Sequence, residues 1–135
     1  MVRATARRVK GHHHEVEVDG HTVVVDEPED AGGTNAGPSP TRLLAASLAS
    51  CTAITIGMYA ERKNWDVEGV EVGVDFGGSP KAGDESSKFI VSIALPGHLS
   101  DEQTDRIKTI AAKCPVHRTL AGDVAIEIRT EPIES

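Results

Sequence analysis

The longest apolar stretch of the chain predicts its central element. Over residues 43–60 no side chain is charged, and small and apolar residues fall on every face of an α-helix. Ser39 suits the cap of such a helix, and Pro40 suits its first position, where a missing N–H costs nothing. We therefore expect a long helix that starts at this cap, ends near Lys63 or Asn64, and is buried on all sides.

Alternation of apolar and polar residues predicts strands on both sides of this helix. Residues 3–26 read as two or three strands, with Asp19-Gly20 as a hairpin turn. After the helix, alternation over 70–76 and 89–95 predicts two more strands, joined by a polar loop. The same alternation from Asp123 to Arg129 predicts a last strand.

Before that last strand the pattern changes to a helical period. Ser100 and Gln103 fit a capping box, in which each side chain satisfies a backbone N–H of the other. The residues that then share one face, which we expect to be buried, are Ile107, Ile110, Ala111 and Cys114. Pro115 ends this helix and can begin a short one, which places Cys114 at an N-cap that favours a thiolate.

The order of these elements indicates an α+β fold, a mainly antiparallel sheet packed on the long buried helix. The length of 135 residues suits a single domain over residues 1–135. One sheet covers only one side of a helix that is apolar all round. We therefore expect a homodimer, in which two such helices meet.

Charge and composition exclude several classes of partner. The net charge of −7, with no basic stripe, argues against a nucleic-acid partner. The N-terminal arginines are followed by no apolar segment of the signal-peptide kind, so we expect a cytoplasmic protein. The uncharged stretch over 43–60 is only just long enough to span a membrane. Because it contains serine, threonine and glycine, we expect no membrane contact.

A run of histidines raises the question of a metal. Of His12, His13 and His14, only the first and third share a face of a strand. Two histidines without a third ligand do not predict a metal site. We expect neither a metal nor another cofactor.

The two cysteines are the candidates for chemistry. In a cytoplasmic protein a structural disulfide is unexpected. Two interpretations remain: Cys51 and Cys114 carry out thiol chemistry, or they only fill the core as small apolar residues. A pair that converges in the core suits a thiol peroxidase. There, one thiolate attacks the O–O bond, and the second thiol condenses with the sulfenic acid that results. An apolar surround raises a thiol pKa, so the attacking cysteine needs a cation or a hydrogen-bond donor nearby.

Several motifs carry a family resemblance. They are Gly37-Pro38-Ser39-Pro40, Leu43-Leu44-Ala45-Ala46, Ala49-Ser50-Cys51, Lys113-Cys114-Pro115-Val116-His117, and Asp26-Glu27-Pro28 with Gly32-Gly33. Together they resemble the OsmC/Ohr family, named for osmotically inducible protein C and organic hydroperoxide resistance, in its OsmC-like branch. The resemblance covers nearly the whole chain.

The resemblance implies a fold and an activity. The fold is an intertwined homodimer with its central helices back to back between sheets. The activity is that of a cysteine-based peroxidase that reduces organic hydroperoxides, either alkyl or fatty-acid. It implies Cys51 as the peroxidatic thiol and Cys114 as the resolving thiol, with a dithiol reductant such as a lipoylated protein.

Two features depart from the family pattern. Family peroxidases carry a carboxylate nine or ten positions before the first cysteine, where this chain has Arg42 and Thr41. They also use an arginine from the N-terminal strands to activate the thiolate. The candidates for that cation are Arg8 and Lys10 in the strand region, and Arg42 at the start of the central helix if its side chain turns inward instead of into solvent. These departures keep an alternative open: an OsmC-fold thiol protein without strong peroxidase activity, which binds a small apolar ligand or carries sulfur.

Overall fold

In the computed structural model, which describes residues 1–81 and 83–133, three strands are followed by a long helix, two strands and two shorter helices. The strands are β1 (Ala4–Lys10), β2 (His13–Val18), β3 (His21–Val25), β4 (Glu71–Phe76) and β5 (Phe89–Ala94). The helices are α1 (Pro40–Lys63), α2 (Asp101–Ala111) and α3 (Pro115–Ala121). Short 3-10 turns lie at Glu29–Ala31 and Glu85–Ser87. The predicted α+β class is confirmed.

The chain divides into two compact units, and the boundary between them crosses α1. The strand unit comprises Met1–Ala49 and Val72–Ile93, and the cysteine unit comprises Ser50–Glu71 and Ala94–Ser135. The strand unit therefore holds nearly all strand residues and the first part of α1. The cysteine unit holds the rest of α1, both short helices and both cysteines. A single domain over residues 1–135 stays a prediction.

Two antiparallel sheets form where the sequence suggested one. β1, β2 and β3 pair in that order, with Ala4 opposite Val18, and β4 pairs with β5. The turn between β2 and β3 is the one predicted, because Asp19 and Gly20 both adopt positive φ, at 47° and 84°. In the second sheet the rings of Phe76 and Phe89 stack at 4.0 Å between centroids.

The buried carboxylate of Asp26 organises the loop that leads to α1. It accepts backbone N–H groups from Glu27 at 2.7 Å, Thr34 at 3.1 Å and Ala36 at 3.2 Å, and also the Thr34 hydroxyl. Burial raises the pKa of a carboxyl, but here the Thr34 hydroxyl and these N–H groups outweigh it, and the pKa of Asp26 lies far below its usual range. The loop is thereby folded around one charge.

The start of α1 follows directly from this loop. Gly37 passes so close to the backbone of Val24 that a β-carbon there would clash. Ser39 then accepts the backbone N–H of Arg42 at 3.3 Å, and Pro40 is the first helical residue. The predicted cap, first residue and end of α1 are all confirmed.

The prediction that α1 is buried on all sides is wrong for the single chain. Its residues with the most burial are Leu48, Thr52, Ile56 and Ala60, spaced by four. On the other side Ile54 and Met58 are 62 % and 61 % exposed, and we call these two residues the bare face of α1. A chain of this size supplies neighbours for only one side of so long a helix.

By length and composition α1 could also cross a membrane. Among the described helices, it is the one that is long and apolar enough. The same test is passed by core helices of globular proteins, so this is weak evidence for a span.

The prediction of a strand from Asp123 to Arg129 is also wrong for the single chain. The described residues after α3 form no strand, and Val124, Ile126 and Ile128 are exposed. Alternation gives a segment one apolar and one polar face, but a strand forms only where a neighbouring strand pairs with its backbone N–H and C=O groups. Among the described strands of this chain, none pairs with this segment.

The cysteine unit has a small aliphatic core. The predicted stripe on α2 is confirmed, because its members are at most 7 % exposed: Ile107, Ile110, Ala111 and Cys114. The capping box is confirmed too, since Gln103 N–H donates to Ser100 Oγ at 3.1 Å and Ser100 N–H donates to Gln103 Oε1 at 2.8 Å.

Aromatic residues join α2 to the end of α1 within this unit. The Arg106 side chain donates to the Tyr59 hydroxyl at 3.1 Å. Tyr59 in turn meets Trp65 edge to face, with ring centroids 5.5 Å apart. These contacts hold the last turns of α1 against α2.

Candidate functional site

The structure brings the two cysteines into contact inside the cysteine unit. Cys51 lies in the middle of α1, and Cys114 follows the buried stripe of α2. Both are free, and their side chains are hydrogen-bonded to each other. Cys51 is partly exposed, whereas Cys114 has no exposed surface. Of the two cysteines, only Cys51 therefore has surface left open to a small oxidant.

Hydrogen-bond donors surround the Cys114 sulfur. It caps α3, as predicted, and accepts the His117 backbone N–H at 3.4 Å. Burial alone would raise the pKa of Cys114. The hydrogen bonds with the Cys51 side chain, the His117 backbone N–H and the Thr52 side chain outweigh it, so this pKa lies below its ordinary value. The sulfur is buried but well supplied with partners that favour a thiolate.

The surroundings of Cys51 act in the opposite direction. Burial raises the pKa of the Cys51 thiol, and its hydrogen bond to Cys114 raises it further. The Val116 N–H and the Thr55 hydroxyl lower it, but by less. Cys51 therefore keeps its proton more firmly than an ordinary cysteine does.

Two threonines of α1 also belong to this site. Thr52 is 1 % exposed and contacts Cys114, and Thr55 contacts Cys51. The sequence did contain a signal for Thr55, because residues four apart on a helix are neighbours. The contact of Thr52 depends on where α2 and α3 pack, which the spacing of residues does not reveal.

The three candidate cations lie in the strand unit. The Arg42 guanidinium donates to Ser39 Oγ at 3.1 Å, on the cap of α1. Arg8 donates through Nε to the Gly11 carbonyl at 3.1 Å, beside the irregular pairing at Lys10. Any role of these cations toward Cys51 stays a prediction.

The cysteine unit contains a groove, and Thr55 is one of the residues that line it. Its volume is about 600 Å³, and it is lined by Thr55, Met58, Glu61, Arg62, Ile110 and Lys113. Met58 and Ile110 give it an apolar floor, and Arg62 and Lys113 give it a partly cationic rim. Thr55, which lines the groove, also contacts Cys51.

The run of three histidines, His12, His13 and His14, lies in the strand unit. His12 and His14 line the same cavity, of about 480 Å³, as expected for alternate residues, and His14 Nδ1 lies 2.8 Å from the His12 carbonyl oxygen. Over residues 1–81 and 83–133, no group of three or more histidine, cysteine, aspartate or glutamate side chains is placed to hold a metal ion.

Comparisons with known proteins point to one family. The family model for OsmC-like protein matches residues 32–129. The fold is similar to that of a Psychrobacter arcticus 273-4 protein described as an osmotic stress induced and detoxification response protein. The two chains share 26 % identity over 87 % of each, with a TM-score of 0.72. The comparison with curated proteins gives no match.

Two further crystal structures share the fold. One is an OsmC like protein from Mycoplasma pneumoniae, at 21 % identity over 90 % of this chain and 88 % of that one, with a TM-score of 0.70. The other is an organic hydroperoxide resistance protein, OsmC, from Legionella pneumophila, at 21 % identity over 90 % of each chain, with a TM-score of 0.62.

Proposed function

Because the chain belongs to the OsmC-like protein family, we propose that it is a thiol-dependent peroxidase that reduces organic hydroperoxides. The observation that carries this proposal is the contact between the free thiols of Cys51 and Cys114. Two sulfurs that already interact need little movement to form a disulfide. The Legionella relative, named for organic hydroperoxide resistance, supports the same activity.

The difference in exposure supports the two roles proposed for the cysteines. The Cys51 sulfur attacks the terminal oxygen of the hydroperoxide, an S–O bond forms, the O–O bond breaks, and an alcohol leaves after gaining a proton. Cys114 then attacks the Cys51 sulfenic acid and expels its hydroxyl group, which leaves a disulfide. A dithiol reductant, such as a lipoylated protein, returns both cysteines to thiols.

The first test uses one equivalent of cumene hydroperoxide on the reduced protein. We expect an intramolecular disulfide between Cys51 and Cys114, located by peptide mapping. In Cys114→Ser the sulfenic acid at Cys51 should persist or oxidise further. If the wild-type protein keeps both thiols after this treatment, the peroxidase proposal is wrong.

The groove beside Thr55 supports a choice of substrate. Each methylene buried on Met58 and Ile110 contributes about 0.8 kcal/mol, whereas hydrogen peroxide gains nothing from such a surface. We therefore expect tert-butyl, cumene and fatty-acid hydroperoxides to react at least about tenfold faster than hydrogen peroxide, part of the binding energy being expressed in kcat/KM. Equal rate constants in stopped-flow oxidation would contradict this use of the groove.

A matched pair of variants locates the effect. Met58→Gln puts a polar group on the floor of the groove, and should slow the organic hydroperoxides while leaving hydrogen peroxide unaffected. Because Met58 also lies on the bare face of α1, the control is Ile54→Gln, which changes that face outside the groove and should leave the ratio of the two rates unaltered.

One observation favours the alternative of a thiol protein without strong peroxidase activity. The family carboxylate is replaced by Thr41 and Arg42, and the Arg42 guanidinium is bonded to Ser39. Such a protein would bind a small apolar ligand or carry sulfur. Tight binding of a fluorescent fatty acid by a protein whose thiols resist hydroperoxide would favour this alternative.

A further inference from the structure

Residues along one side of α1 connect the exposed cysteine to a pair of cations. Cys51 and Thr55 are four apart on the helix and in contact, and Thr55 lines the groove of about 600 Å³. Met58 and Arg62 line it too, three and seven positions after Thr55, so these three residues follow the same side of α1. At a rise of about 1.5 Å per residue, Arg62 lies roughly 10 Å beyond Thr55 along the helix. The groove therefore has one end near the thiol and another at a charged group.

The charges at the far end favour an anion. Arg62 and Lys113 line the groove and are exposed, and neither forms an ion pair with another described residue. The Arg62 guanidinium lies 5.9 Å from the centre of the Tyr59 ring, a contact that holds this cation in place. Among the described residues that line the groove, Glu61 is the one acid, against two bases. Since the whole chain carries a net charge of −7, this pair of bases is a local exception.

We propose that the groove selects hydroperoxides that carry a free carboxylate, and that Arg62 and Lys113 determine this preference. The inference rests on the proposed peroxidase function and names its substrate class. The peroxide group lies beside Cys51, the alkyl chain covers the apolar floor, and the carboxylate reaches the two bases. An ester of the same acid fits the floor but brings no charge to the bases. Both bases act on binding and take no part in the changes at the S–O and O–O bonds.

The separation of the two ends adds a length requirement. In 9-hydroperoxynonanoic acid the hydroperoxide and the carboxylate lie at opposite ends of the chain, and the extended molecule matches the roughly 10 Å of helix from Thr55 to Arg62. The much shorter 4-hydroperoxybutanoic acid cannot place its carboxylate at the bases while its peroxide meets Cys51. The preference for an acid over its methyl ester should therefore appear with the longer compound and be absent with the shorter one.

The ratio of acid to methyl-ester rate constants measures the preference. In stopped-flow oxidation of the reduced protein at pH 7 and low salt, 9-hydroperoxynonanoic acid should react roughly fivefold faster than its ester, as two exposed charge contacts allow. High salt should reduce the ratio, because it screens exposed charges. A general change in the reactivity of the cysteines alters both rates and leaves the ratio as it was. A ratio of one or less at low salt would overturn the inference.

Two double variants locate the effect. Arg62→Gln combined with Lys113→Gln should bring the ratio close to one. The control combines Lys63→Gln with Lys108→Gln, which removes the same charge from the last turns of α1 and α2 but outside the groove, and should keep the wild-type ratio. Lys63 is closely matched to Arg62, because it also lies over the Tyr59 ring, at 5.8 Å. Equal ratios in the two double variants would contradict the assignment to Arg62 and Lys113.

Glu61 provides a test of opposite sign. Its carboxylate lines the same groove and repels a carboxylate bound there, so Glu61→Gln should raise the ratio above that of the wild type. Glu68→Gln removes the same charge from an exposed position of the cysteine unit outside the groove, and should leave the ratio unchanged. If Glu61→Gln leaves the ratio unchanged or lowers it, the carboxylate is not bound in this groove.

Binding of the reduced product separates this inference from the proposed function. The alcohol that reduction would release, 9-hydroxynonanoic acid, contains no peroxide, and in titration calorimetry it should bind more tightly than its methyl ester. Arg62→Gln with Lys113→Gln should abolish that difference. If the wild type leaves hydroperoxides unreduced but keeps this binding preference, the proposed function fails and the selectivity of the groove stands. If it reduces hydroperoxides with no preference for the acid in rate or in binding, this inference fails and the proposed function stands.

Discussion

At the scale of single residues, Asp26 supports the loop that delivers the chain to α1. Its carboxylate accepts three backbone N–H groups and one hydroxyl, and Asp26→Asn replaces one accepting oxygen with a donor. We expect this variant to unfold at a clearly lower urea concentration at pH 7.

The pH dependence of that difference follows from the lowered pKa of Asp26. A carboxyl whose pKa is lower in the folded state stabilises the protein above the unfolded-state pKa of about 3.9. That stabilisation is lost as the pH falls from there toward the folded-state pKa. The difference in the urea midpoint of unfolding between wild type and Asp26→Asn should therefore be largest at pH 7 and should decrease below about pH 4. A gap that stays constant across this range would contradict the assignment.

Gly37 shows why the family motif begins with glycine in this chain. A β-carbon at this position would collide with the Val24 carbonyl, which is backbone and has little freedom to move. Gly37→Ala should therefore lower the free energy of unfolding by roughly 1–3 kcal/mol, as overpacking commonly does. Gly73→Ala is the control, because nothing lies within 4 Å of its added carbon. Equal effects of the two substitutions would show that the close approach is unimportant.

At the scale of elements, α2 is defined by its own sequence. Ser100→Ala removes the cap and should lower the free energy of unfolding by about 1 kcal/mol. The exposed Thr104 lies within the same helix, and Thr104→Ala should leave stability unchanged or raise it slightly, since alanine favours helix. Urea titrations of both variants compare them directly. Because α2 carries the stripe that ends at Cys114, loss of the cap should also loosen the cysteine contact.

The segment over residues 123–129 depends on something outside the single chain. Its alternating valine and isoleucines are exposed, with Ile126 at 84 % and Ile128 at 87 %. We expect it to become a strand by pairing with a second copy of the chain. Hydrogen exchange of the amides over 124–128 should then be slow at protein concentrations that favour the dimer and fast on dilution. Fast exchange at both concentrations would contradict the expected pairing with a second copy of the chain.

The sequence predicted what depends on local interactions. The cap at Ser39, the Asp19-Gly20 turn and the capping box at Ser100 each involve residues within a few positions of one another, and all three form. Long-range packing was harder to predict from the sequence. The Thr52 contact with Cys114 requires the positions of three helices, and the fate of residues 123–129 requires a partner whose presence no local pattern records. The contact of the two cysteines was anticipated because both fell on faces expected to be buried.

At the scale of the whole molecule, the bare face of α1 supports the expected homodimer. Ile54 and Met58 leave a large apolar area in water on a helix that has few charges to keep it soluble. We expect the protein to remain a dimer at micromolar concentration. Ile54→Asp should produce monomers in sedimentation equilibrium, whereas Thr109→Asp, which adds the same charge to an exposed position on α2, should not. A stable folded monomer of the wild-type protein at that concentration would contradict the expectation.

The single tryptophan makes the two units separately observable. Trp65 is the only tryptophan in the chain, and it lies in the cysteine unit against the Tyr59 ring. Its emission therefore reports on that unit, while far-ultraviolet circular dichroism sums the backbone of both. Denaturation curves from the two signals coincide only if the two units unfold together in one cooperative transition. A spectrometer can thus determine, without a label, whether the boundary that crosses α1 separates two independently folding parts.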